Sequence, residues 1–487
     1  MIDGPAPVLV WMRGSLRTTD NTLLSLAARS GGDVIPFLCT SDGWSGSVDS
    51  PRRRMLRSSI ASLADTLRDG GSALFMLGED PLEEIPRAAL SLRAGTMFVA
   101  RSADPTFRQT DRLIARGLEE IGCAVHEVDD GVIFGKDALR TSSGTPYTVF
   151  TPYKNAWRSR MQEAMPPAPR LVPPLSRMPG LRTCQSLEGY RDAGRGGEPL
   201  ARKLLAEFVR GRIDTYHATR NSPADDGTSR LSPHIASGAI SVRTVLSVVA
   251  EARDGGAPGR GRGAEAFVDE LIWRDFFHQI MENFPRVAGE PFREQFAAFP
   301  WKKGGKSFAS WSIGETGYPI VDAGMRQLAS EGWMHNRVRM IVASFLTKDL
   351  HIDWGRGEDF FFDRLSDADR ASNNGNWQWV AGTGTDAAPY FRIFNPVLQG
   401  KKFDPAGTYI RRFLPELARV PDSYIHAPWE MSPAMQKSCS FRSGTDYPRP
   451  IVDHAREREA ALRMYRSAKS TAAPERSLTP AAGDEER

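Results

Sequence analysis

Asp367-Ala-Asp369-Arg-Ala-Ser-Asn373-Asn-Gly-Asn-Trp377-Gln-Trp379-Val-Ala-Gly-Thr-Gly-Thr-Asp386-Ala-Ala-Pro-Tyr-Phe-Arg392-Ile-Phe-Asn-Pro396 is the densest run of chemical groups in this 487-residue chain. Paired aspartates ordinarily mean a general acid and base, or a metal. No histidine stands at ligand spacing here, so no metal is expected. On a helix, Trp377 and Trp379 lie about 200° apart, so one can point inward while the other lines a cavity. Asn, Gln, Gly and Thr surround both, which a purely apolar core does not call for. Seven of the eleven tryptophans (273, 301, 311, 333, 354, 377 and 379) fall between 273 and 379. A large aromatic core is the plain explanation for such a crowd, but each indole N–H needs a partner.

Upstream, Gly332-Trp-Met-His-Asn336-Arg337-Val-Arg339-Met340 places Asn336, Arg339 and Met340 on one side of a helix, with apolar residues beyond. Two Arg and an Asn in a half-buried position need partners, and no acid-rich stretch follows to supply them. Further back, Glu270-Leu-Ile-Trp273-Arg274 has an acid and an Arg at i,i+4 with a Trp beside them. That is either a surface ion pair next to a core Trp or a face for a planar base and its phosphate. Before it, Tyr216 and Arg220 precede Gly227-Thr-Ser-Arg-Leu-Ser-Pro233-His-Ile-Ala-Ser-Gly. A Gly-Thr-Ser turn entering a helix suits a phosphate, although N-capping by Thr228 or Ser229 is the simpler reading.

The N-terminal part has another rhythm. Apolar runs at 8–12 (VLVWM), 34–39 (VIPFLC), 73–77 (ALFML) and 96–100 (TMFVA), with a weaker one at 124–128, alternate with amphipathic stretches. Continuous rather than alternating runs predict a parallel, Rossmann-like sheet covered on both faces over residues 1–135. No GxGxxG follows the first run, so a dinucleotide fingerprint is missing. Residues 136–198, rich in Pro, Gly and Ser, read as a connector, and 199–435 read as a large all-α domain, with 466 as the alternative end. The loop near 254–263 reads as a solvated connector, and 467–487 hold too little apolar content to fold.

Composition sets limits. With 63 Lys+Arg, 59 Asp+Glu and a net charge of +4, the balance permits a nucleic-acid partner without requiring one. No apolar run nears the ~18 residues of a membrane span. The first twenty residues carry no secretory-type leader. Cysteines at 39, 123, 184 and 439 form no CxxC, so a disulfide framework or zinc ribbon falls and a reducing cytoplasm is expected.

Taken together, Gly227-Thr-Ser-Arg-Leu-Ser, Trp273-Arg274, Thr316-Gly-Tyr-Pro, Trp333-Met-His-Asn-Arg and Asn373-Asn-Gly-Asn-Trp-Gln-Trp closely resemble the photolyase/cryptochrome flavoprotein family. The resemblance is densest from 266 to 417, and weaker patterns extend it over nearly all the chain before ~435. It implies a U-shaped FAD in the helical domain. Tyr216, Thr228, Ser229, Arg230, Leu231 and Ser232 would hold its phosphate and ribose end. Phe267, Glu270, Arg274, Asn336, Arg339, Asp367, Ala368, Asp369 and Asn373 would complete the site, with Asn373 near flavin N5. A carboxylate paired with Arg beside the ring would tune its potential. Trp377, Trp354 and Trp301 match the family's electron-transfer tryptophans.

The resemblance further implies UV-damaged DNA as partner, a monomer, and an antenna chromophore in the N-terminal domain, a 5,10-methenyltetrahydrofolate in preference to a deazaflavin. The loops at Thr40-Ser-Asp-Gly-Trp44 and Arg101-Ser-Ala-Asp-Pro-Thr depart from known antenna patterns. Three activities compete: splitting of cyclobutane pyrimidine dimers, repair of six-four photoproducts, and light signalling. Six-four enzymes resemble a pattern with two adjacent histidines where this chain has His335-Asn336. Plant-type cryptochromes tend to carry Asp at the position of Asn373. Single-strand-preferring relatives usually lack Trp at 273 or 379. These contrasts favour dimer repair in duplex DNA, of class I type. The chemistry so implied is light-driven electron transfer from reduced FAD to the flipped-out dimer, not acid–base catalysis. Trp273 and Trp379 would sandwich the lesion, Glu270 would bond a pyrimidine edge, and Asn336 and Met340 would line the pocket. Arg220, Arg274, Arg337 and Arg392 would grip the DNA backbone at the rim.

Overall fold

The computed structural model describes residues 5–41, 50–163, 195–254 and 260–470. Residues 164–194 of the expected connector, the loop at 255–259, Trp44 and the expected tail from 471 onward lie outside the described residues.

Five strands form the sheet: β1 (Val8–Trp11), β2 (Val34–Cys39), β3 (Phe75–Leu77), β4 (Thr96–Ala100) and β5 (Ala124–Val128). All pairings are parallel, in the order β3-β2-β1-β4-β5. Helices α1 (Thr22–Arg29), α2 (Pro51–Asp69), α3 (Pro81–Leu92) and α4 (Pro105–Glu120) connect them. Val8 and Val10 feed one apolar layer, Leu9 and Trp11 the other, which is why β1 reads as an unbroken apolar run. β5, one of the two edge strands, has no buried residue, so its sequence signal is the weakest of the five.

The expected connector is not structureless where it is described. Phe150–Glu163 is a helix, α5, whose Phe150, Tyr153 and Trp157 sit in the core of the helical half. These three are aromatic positions at i, i+3 and i+7 set in a polar background, so the apolar face is too sparse to announce itself as periodicity. Trp157 Nε1 donates to Asp275 Oδ2 at 3.1 Å.

The helical half includes α6 (Glu198–Glu207), α7 (Val242–Asp254), α8 (Arg260–Asn283), α9 (Asn336–Ser344), α10 (Trp354–Arg364), α11 (Arg370–Ala381) and α12 (His454–Ser470). It continues past 435, since Phe441 and Tyr447 belong to its main core. It also passes 466, because α12 runs to Ser470. His454 Nδ1 lies 2.5 Å from Asp349 and His351 Nε2 lies 2.7 Å from Glu457, so two polar pairs dock α12.

A buried ionic knot joins the two halves. Asp130, after β5, meets Arg17 at 2.7 Å and Arg243 of α7 at 3.0 Å, and accepts from Ser15 Oγ at 2.6 Å. Burial alone would raise this carboxyl, but the two guanidiniums hold it well below the usual carboxylate range.

Candidate functional site: a two-lobed cavity in the helical half

A cavity of about 490 Å³ opens in the helical half, and a smaller lobe of about 90 Å³ shares Asn336, Arg339, Met340, Asp367 and Asp369 with it. The larger lobe is lined by Tyr216, Thr228, Ser229, Arg230, Leu231, Ser232, Phe267, Glu270 and Arg274 as well as by those shared residues. Arg220, Trp273, Arg337 and Trp379 line it too. Ala368, Asn373 and Trp377 line the smaller lobe. Trp301, Trp354 and Arg392 line neither, and Arg392 is exposed on the loop after Trp379.

Local structure explains the placement. Asp369 is the N-cap of α11 and accepts from Ser372 N–H at 2.7 Å, so one carboxylate both starts the helix and borders the cavity. Its other partner is His278 Nε2 at 2.9 Å, with Arg274 Nη2 at 3.8 Å. Burial pushes the Asp369 carboxyl up, and the charges of His278 and Arg274 more than reverse this, holding it far below its ordinary value. α11 then carries Trp377, buried at 3% exposure, and the half-exposed Trp379 on opposite sides, as their two-residue spacing requires.

Asp367 Oδ2 accepts from Arg339 Nη2 at 2.7 Å and from Ser232 Oγ at 2.6 Å. Its Oδ1 is buried and bonded to nothing among the described residues, an acceptor left for a donor that the chain does not supply. Asn373 Nδ2 donates to the Glu358 carbonyl at 2.9 Å, which commits the amide nitrogen and leaves the amide oxygen available to a ligand. The Glu358 carboxyl itself is pushed up to about 7 by burial, against the lowering pull of Arg370. A tricyclic ring flanked by an Arg–carboxylate pair, a deep carboxylate and an Asn amide would find matching groups here, so the residues present fit FAD.

Several expectations are corrected. Glu270 and Arg274 share a helix but do not pair. Glu270 bonds Arg220 at 2.7 Å, and Arg274 donates to the Gly131 carbonyl. Arg274 is 16% exposed and turned to the junction of the two halves, so it is not at a DNA rim. The protein around Glu270 raises its carboxyl despite Arg220. Neither Thr228 nor Ser229 caps a helix: the segment Ser232–Ala236 has Leu231 at its N-cap, and Ser229 Oγ accepts from Leu231 N–H at 3.3 Å in a local turn. His335 is buried, accepts the Arg337 N–H on Nδ1 at 3.1 Å, and is pushed down to about 4 by burial and neighbouring arginines.

Sequence reasoning gave no role to four residues that the fold brings to the site. Arg230 lies 3.6 Å above the Trp333 ring, which lines the larger lobe, and His278 fixes Asp369. Phe150 stacks on Trp273, and Asn221 accepts from Arg337 Nη2 at 2.7 Å. Trp333 was visible in its motif; the others join segments far apart in the chain.

The tryptophans group around α10. Trp377 packs against Gly357, where an added Cβ would lie 2.5 Å from indole Cζ3, and meets Phe361 edge-on at 5.0 Å. Trp354 opens the same helix. A parallel bridge between Lys302 and Ile352 sets the segments carrying Trp301 and Trp354 side by side.

A second cavity of about 180 Å³ lies between the halves. It is lined by Arg13 after β1, Arg101, Ser102, Ala103 and Asp104 after β4, and Asp129 after β5, with Arg274 and Asp369 on its far wall.

Comparison with known proteins agrees with this geometry. Residues 267–467 match the family described as FAD binding domain of DNA photolyase, and residues 8–172 match DNA photolyase. The chain is 40% identical to the deoxyribodipyrimidine photo-lyase of Agrobacterium fabrum, covering 96% of this chain and 99% of the relative. It is 37% identical to that of Escherichia coli K12, covering 95% and 98%. Among solved structures, a class III photolyase from Agrobacterium tumefaciens superposes with a TM-score of 0.87 at 39% identity, over 96% of this chain and 98% of the other. The Synechocystis sp. PCC6803 cryptochrome does so with a TM-score of 0.86 at 30% identity, over 95% and 100%. With its polar two-lobed cavity, its parallel sheet and these full-length relatives, the chain belongs to the DNA photolyase family.

Proposed function

We propose that this protein is a deoxyribodipyrimidine photo-lyase that splits cyclobutane pyrimidine dimers in duplex DNA. The observation that carries the reading is the composition of one cavity: Trp273, Trp379, Asn336, Met340 and Glu270 share it with the polar groups Asp367, Arg339 and Asp369 that suit a flavin. FAD, bound and reduced, supplies the blue-light absorption and the electron that opens the cyclobutane ring. The chain's part is to seat the flavin and the lesion together. Arg339 and Ser232 orient Asp367, while His278 and Arg274 keep Asp369 ionised next to the ring. Trp379 and Trp273 offer flat apolar surface to a dimer turned out of the duplex, and Glu270, held by Arg220, bonds a pyrimidine edge. A lesion that already pairs and stacks poorly is cheaper to extrude than an intact base pair, which gives selectivity without reading sequence. Arg220, Arg337 and the exposed Arg392 meet phosphates, so affinity falls with salt. Trp377, Trp354 and Trp301 would relay an electron from a reductant in solution toward the flavin.

The test is to reduce the purified holoprotein chemically, add dimer-bearing duplex, and compare light with dark. Loss of dimers in light alone is expected, and equal dimer content in both arms would overturn the reading. The cryptochrome likeness makes photoreception the second reading, and the same assay separates them. Six-four repair is disfavoured because, among the described residues, no histidine lines either lobe. The motif contrasts point to class I, whereas one solved relative is a class III photolyase, so the comparisons carry the family and not the class.

The cavity between the halves supports the antenna reading. It lies at the carboxyl ends of β1 and β4, where the strand order reverses, which is where open parallel sheets bind ligands. An archaeal photolyase from Sulfolobus tokodaii, 29% identical over 95% of this chain with a TM-score of 0.80, is described as carrying two FAD molecules, one implicated in light harvesting. We keep the folate as the chromophore, to be checked by acid extraction, where pterin fluorescence is expected. Free Cys39, Cys123 and Cys439 support a cytoplasmic setting. Among the described residues no helix is long and apolar enough to cross a membrane.

A further inference from the structure

Trp273 is backed in an unusual way. The Phe150 ring lies on it with centroids 3.5 Å apart and planes 3° from parallel, a full face-to-face overlap where aromatic pairs ordinarily slip or tilt. Phe276 meets the same indole edge-on at 81°, and Phe277 lies at 5.4 Å. Phe150 does not belong to the helices that build the cavity. It is the first residue of α5, in the stretch between the two halves, and only 7% exposed. Its backbone N–H donates to Asp386 Oδ2 at 3.1 Å, and Thr385 Oγ1 donates to the neighbouring Thr148 carbonyl. Asp386 holds a left-handed backbone, φ 42°, which a non-glycine residue adopts at a cost. It stands seven positions after Trp379, on the loop that leaves α11.

From this geometry we infer that Phe150, seated by Asp386, is a positioning residue for lesion recognition: it fixes the plane of Trp273 and ties that plane to the loop following Trp379. The inference rests on the assignment of Trp273 and Trp379 to the lesion. It also amends that assignment. The face of Trp273 under Phe150 is covered, because Phe150 is buried and tethered through its backbone, and Phe277 stacks on the same indole at 28°, so the dimer meets only the part of the half-buried Trp273 that lines the cavity. An indole with a flat backing cannot tilt away when a dimer arrives, which lowers the ordering cost of binding.

The test measures binding of the dark holoprotein to dimer-bearing and undamaged duplexes of one sequence. Phe150→Leu keeps apolar volume and loses the plane; Phe150→Tyr keeps the plane. Phe150→Leu is expected to weaken dimer-duplex binding about three- to ten-fold, the worth of an aromatic pair, with undamaged-duplex binding and FAD content unchanged in the folded protein and the melting temperature lowered by the lost core contacts. Phe150→Tyr is expected to restore wild-type discrimination. Asp386→Ala, which removes the tether without touching either ring, should lower discrimination in the same direction, and it decides the matter if Phe150→Leu does not fold. Unchanged discrimination in Phe150→Leu, or equal weakening toward both duplexes, would overturn the inference. Trp273→Ala is the control for the underlying assignment: if it binds dimer duplex like wild type, the lesion role of Trp273 fails, whatever Phe150 does.

Discussion

Gly357→Ala separates helix propensity from packing at the wall of the flavin cavity. Gly357 lies inside α10, where alanine is favoured over glycine by about 1 kcal/mol when nothing else intervenes. Here the new methyl would sit 2.5 Å from Trp377 Cζ3, nearer still to Cη2, and 2.7 Å from Leu346 Cδ2. Ordinary carbon contacts lie at about 3.5–4 Å, so the overlap approaches an ångström on two sides. Neither neighbour yields freely. Leu346 is wholly buried, and Trp377 is 3% exposed between Phe361 at 5.0 Å and Trp311 at 6.3 Å. Overpacking of this kind costs about 1–3 kcal/mol, so the clash outweighs the propensity gain and leaves a net loss of up to about 2 kcal/mol. Relief comes only by moving the indole toward the small lobe it lines, so FAD occupancy and photoreduction should fall together with stability. The control is Gly355→Ala in the same helix, where the nearest atom to an added Cβ is Asp353 Oδ1 at 3.6 Å. Thermal unfolding, bound-flavin content and the photoreduction rate are to be compared across the pair. A Gly357→Ala protein that melts at or above Gly355→Ala and loads FAD normally would refute the packing argument.

Asp130→Asn leaves buried Arg17 without its carboxylate partner among the described residues, while Arg243 keeps Asp20 at 3.1 Å, and urea unfolding should show a loss of about 3 kcal/mol. Because the folded carboxyl is held down, its contribution is present above the ordinary Asp range and disappears as pH falls, so Asp130→Asn should flatten the acid limb of the stability curve. Glu358 has the opposite sign. With its carboxyl raised to about 7 from 4.5, its proton stabilises the fold fully below 4.5, and that contribution fades as pH rises through 7. Glu358→Gln should therefore gain on wild type by roughly 2–3 kcal/mol between pH 5 and 8, read from chemical denaturation at each pH. Trp377→Phe should abolish photoreduction of the oxidised flavin yet leave dimer splitting intact after chemical reduction, as followed by bleaching and by dimer assay. Loss of both in a folded variant would place Trp377 elsewhere in the mechanism.

The strands were legible because a sheet covered on both faces writes continuous apolar runs, and the run at 34–39 is matched residue for residue by β2. The opposed faces of Trp377 and Trp379 followed from helical geometry, and likeness to a family named about two thirds of the residues lining the larger lobe, but not Asn221, Phe277, Ser372 or Asn376. Helix α5 escaped because three aromatics on a polar stretch make a face only once another surface is there to receive it. What the linear order could not hold is pairing at a distance. His278 and Asp369 stand 91 positions apart, Arg274 and Gly131 143. Local periodicity is written by neighbours within a turn or two. Which carboxylate an arginine chooses, or which ring lies on Trp273, depends on how whole helices cross, and that is settled only when the core closes.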